Sequence, residues 1–93
     1  MEIEFDPVKS ERNKADPSRR FGLDKAADFK WESCVTFLDN RQEYGEERRV
    51  SIGFIEQRLY VLVWTRRSEK TVRIISLRKA NKDEVAYYDN EKK

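Results

Sequence analysis

Two carboxylates and two guanidiniums follow one another in "YGEERR", residues 44–49, and further cations stand at Arg66, Arg67, Arg73, Arg78 and Lys79. A carboxylate held among guanidiniums stays ionised, which suits a base that accepts a hydroxyl proton. Arginines around it bind a phosphodiester and stabilise the charge that grows on phosphorus. Glu46 or Glu47 as base, with Arg48, Arg66, Arg73 and Arg78 on phosphate, is most of what RNA cleavage by internal 2′-hydroxyl attack requires. The missing part is an acid for the leaving oxygen. Such a reaction needs no metal, and no cofactor is expected. The chain has no histidine and a single cysteine, Cys34, which cannot build a His/Cys zinc cluster. The plainer reading of these charges is ion pairing, within "EERR" itself or from Arg73 and Arg78 to Glu46, Glu47 or Glu56. Exposed pairs of that kind are common and weak.

The elements that must position these groups can be read along the chain. "EIEF" alternates as a short strand and ends at Asp6 and Pro7, a cap and first position for the helix "PVKSERNKA", with Val8 as its best anchor. Pro17 stops that helix near Asp16. "DPSRRFG" is a loop, and "LDKAADFKW" restarts a helix with Asp24 as cap, Ala27 and Trp31 four apart on one side and Phe29 off that stripe. "SCVTFLD" is a short strand, and Cys34 at its start reads as a small buried apolar residue.

Three strands follow. "RRVSIGF" places Val50, Ile52 and Phe54 on one face, and "RLYVLVWT" is continuous enough to be central. In "TVRIISLR", strict alternation puts Arg73 and Arg78 on opposite faces unless a bulge intervenes, with the strand ending near Leu77. "IEQ" and "RRSEK" are short enough to be hairpin connections. Asn81 and Glu84 form a capping box for a last helix. The expected architecture is α+β: two helices near the start, a small antiparallel sheet and one C-terminal helix.

Ninety-three residues make one domain, 1–93. The charged fraction is 41% but the net charge is only +2, so composition alone marks neither a disordered chain nor a basic tail. The distribution is more informative. Residues 46–80 carry 9 Lys and Arg against 4 Asp and Glu, a net of +5, whereas residues 1–45 carry 8 against 10. The basic excess lies where a sheet fixes it in space, which favours a shaped anionic partner such as RNA. One cysteine fits a reducing compartment. "MEIEFDP" is unlike a signal peptide and no apolar run approaches membrane-spanning length, so a cytoplasmic protein without membrane contact is expected.

The segments "EFDPVKSERN", "FGLDKAADF", "YGEERRVSIG", "RLYVLVWT" and "VRIISLRKANKDE", in this order, resemble BrnT-type toxins of type II toxin–antitoxin modules over nearly the whole chain. The ending, "RIIS" and then "RKA" running into a charged helix, is the most specific part. The resemblance implies a ribonuclease with a RelE-like fold, neutralised by a small BrnA-like antitoxin with a ribbon-helix-helix part. It also implies contact with operator DNA only through that antitoxin. By position, the family's Gly-Glu-Glu-Arg segment falls on Gly45, Glu46, Glu47 and Arg48. Its strand-end arginine falls on Arg78, followed by Lys79, and the basic residue before its loop glycine falls on Arg20. Where the family has Lys-His-Gly, this chain has Arg20, Phe21 and Gly22. Arginine holds its proton too tightly to be an acid. That leaves Tyr44, a lysine or water for the role, or a subunit that binds antitoxin or RNA without cleaving.

Overall fold

A computed structural model describes residues 1–41, 43 and 45–93. Its strands are β1 (Glu2–Phe5), β2 (Val35–Leu38), β3 (Arg49–Ile55), β4 (Arg58–Arg66) and β5 (Thr71–Lys79), with helices α1 (Pro7–Ala15) and α2 (Lys82–Glu91). They form one sheet in the order β1-β5-β4-β3-β2. From β2 to β5 the pairing is antiparallel, but β1 lies parallel to β5, with Glu2 opposite Thr71 and Phe5 opposite Ile74. The sheet is therefore mixed, not antiparallel as expected. Alternation in "EIEF" marks a strand and its faces but carries no information about which neighbour it joins.

Apolar side chains cover both faces of β4, whose residues Leu59 to Thr65 are all buried. On the first face, Tyr60, Leu62 and Trp64 pack with Val72, Ile74 and Leu77 of β5 beneath Leu23, Ala26 and Phe29. On the second face, Leu59, Val61 and Val63 pack with Val50 and Ile52 beneath Ala80 and Tyr88. Trp64 Nε1 donates to the Ser51 hydroxyl at 2.8 Å, and Ser51 in turn meets Thr36 Oγ1 at 2.8 Å, so the buried polar atoms along this line are paired.

The second N-terminal helix is not α-helical. Leu23–Asp28 and Trp31–Ser33 are 3₁₀ turns, and Asp24 caps neither. Its carboxylate instead lies near Ser10 Oγ (3.4 Å) and Lys14 Nζ (3.8 Å). The buried residues, Leu23, Ala26 and Phe29, recur every third position, which is the 3₁₀ repeat, whereas Ala27 is exposed.

Helix α1 begins as expected. Asp6 accepts from the N–H groups of Val8 and Lys9 behind Pro7. The anticipated anchor, Val8, is 66% exposed. The buried residue is Ser10, whose hydroxyl accepts the Leu23 N–H at 2.9 Å, so α1 is seated by polar contacts at the sheet's edge rather than by an apolar stripe. Cys34 is partly buried against the first-face core. The capping box at Asn81 and Glu84 forms in full.

Candidate functional site

The site is organised by a bulge in β5. Trp64 stands opposite Ile74 and Val63 opposite Ser76, so Ile75 is an extra residue with no partner on β4. The extra residue reverses the alternation beyond it. Arg73 faces Thr65 across the ladder and Arg78 faces Val61, and Thr65, Val63 and Val61 share the second face. Arg73 and Arg78 are therefore on the same face, and the strand carries Arg78 within it, ending at Lys79.

Helix α2 covers only part of that face. Beside it is an open groove of about 430 Å³, floored by Val50, Val61, Val63 and Ser76 and rimmed by Asp39, Arg41, Arg48, Arg78 and Glu84. Arg48 arrives there because the β2–β3 ladder continues past its strands: the Asp39 N–H donates to the Arg48 carbonyl at 2.9 Å. Arg48 then shares the face of Val50, two residues on. A second hollow adjoins the first through Asp39 and Arg48 and is flanked by Glu43, Glu46 and Glu47.

Each cation at the rim has an acidic neighbour. Arg78 grips both oxygens of Glu84, at 2.8 and 2.6 Å. These hydrogen bonds hold the Glu84 carboxyl below its ordinary range and raise Arg78, while the charge of Arg41 opposes the rise. Arg41 in turn takes both oxygens of the buried Asp39. Arg48 Nε donates to Glu46 at 3.0 Å, and Arg49 donates to Glu47 at 2.6 Å. Arg49 stands opposite Trp64, so of the two glutamates Glu46 has its partner on the groove and Glu47 has its partner on the first face.

The anticipated site residues thus divide. Arg48 and Arg78 line the groove, with Glu46 and Glu47 beside it. Arg73 shares the face but pairs with Glu4 at 3.2 Å, a contact that lowers the Glu4 pKa. The ion-pair partners of Arg73 and Arg78 are therefore Glu4 and Glu84, not Glu46, Glu47 or Glu56. Arg66 lies over the Trp64 ring, and Lys79 stands opposite Tyr60, both toward the first face. Arg20 adopts a left-handed backbone (φ 65°) and donates to the Pro17 carbonyl, while its neighbour Phe21 meets Tyr60 edge-on. None of these three lines the groove. Tyr44 lies outside the described residues.

Two basic groups that the sequence did not single out reach β5 instead. Pairing with β1 stops at Ile74, and beyond it Lys9 Nζ donates to the Ile75 carbonyl and Arg19 Nη1 to the Leu77 carbonyl, at 3.2 Å for the second. Lys9 is half-buried, and burial, then the charges of Arg19, Arg48 and Arg12, lowers its pKa from the ordinary lysine value. Asp39 and Arg41 were also unmarked, because "LDNR" has only the composition of a loop. Among the described residues, no three His, Cys, Asp or Glu side chains are grouped to hold a metal ion. No helix among them is long and apolar enough to cross a membrane.

An apolar floor with guanidiniums at its rim can take a planar base and an adjoining phosphate together. No curated protein and no solved structure matches this chain. The family model for the ribonuclease toxin BrnT, of type II toxin–antitoxin systems, matches residues 5–84, from the end of β1 to the first turn of α2. That span contains the bulge and every rim residue of the groove, and the chain belongs to the BrnT family of ribonuclease toxins.

Proposed function

We propose that the chain is the toxin of a toxin–antitoxin pair and cleaves RNA in the second-face groove by internal attack of a 2′-hydroxyl, without a metal. The observation that carries this is the convergence of Arg41, Arg48 and Arg78 on one apolar-floored groove, with Glu46 on Arg48. Arg48 and Arg78 bind the scissile phosphate. Glu46 removes the 2′-hydroxyl proton, O2′ bonds to phosphorus, and the P–O5′ bond breaks, leaving a 2′,3′-cyclic phosphate and a 5′-hydroxyl. Arg73, fixed by Glu4 on the same face, extends the track for the flanking backbone. The family relation supports an antitoxin partner. On this reading it is a small BrnA-like protein through which alone the pair reaches operator DNA, and the layered sheet is a RelE-like variant working in the cytoplasm.

The test is cleavage of single-stranded RNA by purified protein, with product ends identified. Glu46→Gln should lower the rate by about 10²-fold or more and leave RNA affinity equal or higher, because it removes a negative charge beside a polyanion. Unchanged cleavage by Glu46→Gln would remove Glu46 from the mechanism. A wild-type chain that binds an antitoxin but cuts nothing would leave the non-cleaving subunit as the reading.

A further inference from the structure

We propose that Lys9 is the acid of this reaction, giving its proton to the leaving 5′-oxygen. The inference rests on the cleavage reading above and supplies its missing group. The chain has no histidine, and arginine as a residue type is too weak an acid to serve. Lys9 is placed by three features: the Asp6 cap and Pro7 that start α1, the end of β1 pairing at Ile74, and the bulge. The amine donates to the carbonyl of Ile75, whose side chain lines the groove, so it borders the groove at the open edge of β5 without itself lining it, within reach of the charge of Arg48 on the rim. An ammonium has three N–H bonds, and the bulge carbonyl takes one, which orients the group and leaves two for substrate.

The charges that act on Lys9 are those of Arg19 from the loop after α1, Arg48 from the approach to β3, and Arg12 and Asp6 of its own helix segment. Three of the four are cations, and together with burial they make this ammonium a stronger acid than an ordinary lysine. A bound phosphodiester offsets those cations and keeps Lys9 protonated until negative charge develops on O5′. At that point one N–H proton passes to O5′, its electron pair staying on nitrogen. Lys9 ends neutral and Glu46 ends protonated, and exchange with water restores both.

The experiment compares wild type and Lys9→Arg on ordinary RNA and on RNA with sulfur in place of the bridging 5′-oxygen, a leaving group that needs no proton. Lys9→Arg should bind both substrates as wild type does, cut the ordinary one about 10²-fold more slowly, and cut the sulfur one at the wild-type rate. The wild-type protein alone gives a second readout. Its kcat/KM on ordinary RNA should fall as pH rises through the lowered Lys9 pKa, below the ordinary 10.5, and this limb should be absent for the sulfur substrate. Equal activity of Lys9→Arg on ordinary RNA, equal slowing on both substrates, or the same basic limb for both overturns the assignment. A wild type that cuts neither substrate sinks the cleavage reading itself, and the acid with it.

Discussion

Arg78 and Glu84 are tied to each other and to the start of α2. Glu84 grips both Nη atoms of Arg78, accepts the Asn81 N–H at 2.9 Å, and has its own N–H held by Asn81 Oδ1 at 2.9 Å. The guanidinium is therefore held in place at the groove's rim, which reduces the entropy that an anion's binding there would cost. The same pair sets a pH response. The folded pKa of Glu84 is depressed, chiefly by Arg78, so the pair stabilises the fold above the unfolded value of 4.5 and ceases to do so as pH falls through the folded value. Glu84→Gln keeps a capping box but loses the charge. It should be less stable than wild type at neutral pH by up to about 1 kcal/mol, since the pair is partly exposed. That gap should close below pH 4.5, as read from denaturation curves across the acid range.

At the scale of elements, the bulge decides which face carries the strand's arginines. Ile75→Ala leaves the extra residue in place and should keep RNA affinity near the wild-type value. Deletion of Ile75 restores strict alternation and separates Arg73 from Arg78, so affinity should fall at least as far as in Arg78→Ala. Equal affinities for the deletion and Ile75→Ala, in two folded proteins, would detach the bulge from binding. Nothing in "RIIS" announces such a feature, because the bulged residue is an isoleucine with ordinary strand preference and no glycine marks the place. What could be read was local or continuous: the central strand from its unbroken apolar run, α1 from Asp6 and Pro7, and α2 from its capping box. The 3₁₀ segment was misjudged because Ala27 and Trp31 offer a four-residue spacing that competes with the three-residue spacing of Leu23, Ala26 and Phe29. Of the candidate groove, the residue types Glu46, Arg48 and Arg78 were legible, but the geometry that brings them together was not. Lys9 and Arg19 escaped because their partners are backbone carbonyls of a distant strand, and no side-chain pattern encodes those.

Over the whole molecule, the basic excess of residues 46–80 is spread over both faces and partly neutralised from outside that stretch, by Glu4 on Arg67 and Arg73 and by Glu84 on Arg78. RNA binding should therefore depend on salt as for a few phosphates, not as for a basic tail. With about three phosphates neutralised, the log–log salt slope should be roughly −2 for a single strand. Arg78→Ala should flatten it by somewhat less than one unit, as measured by titrations at several ionic strengths. An unchanged slope would assign Arg78 to α2 alone. The parallel pairing of β1 with β5 reaches further, into the protein's synthesis. Glu2 must wait for Thr71, and Lys9 and Arg19 must wait for the carbonyls of Ile75 and Leu77, before any of them has a partner. Contacts this distant in sequence are slow to form and close late. A ribosome that has made the first four strands therefore carries a chain whose groove lacks an entire wall. The nascent toxin has no complete groove until β5 has emerged and paired with β4.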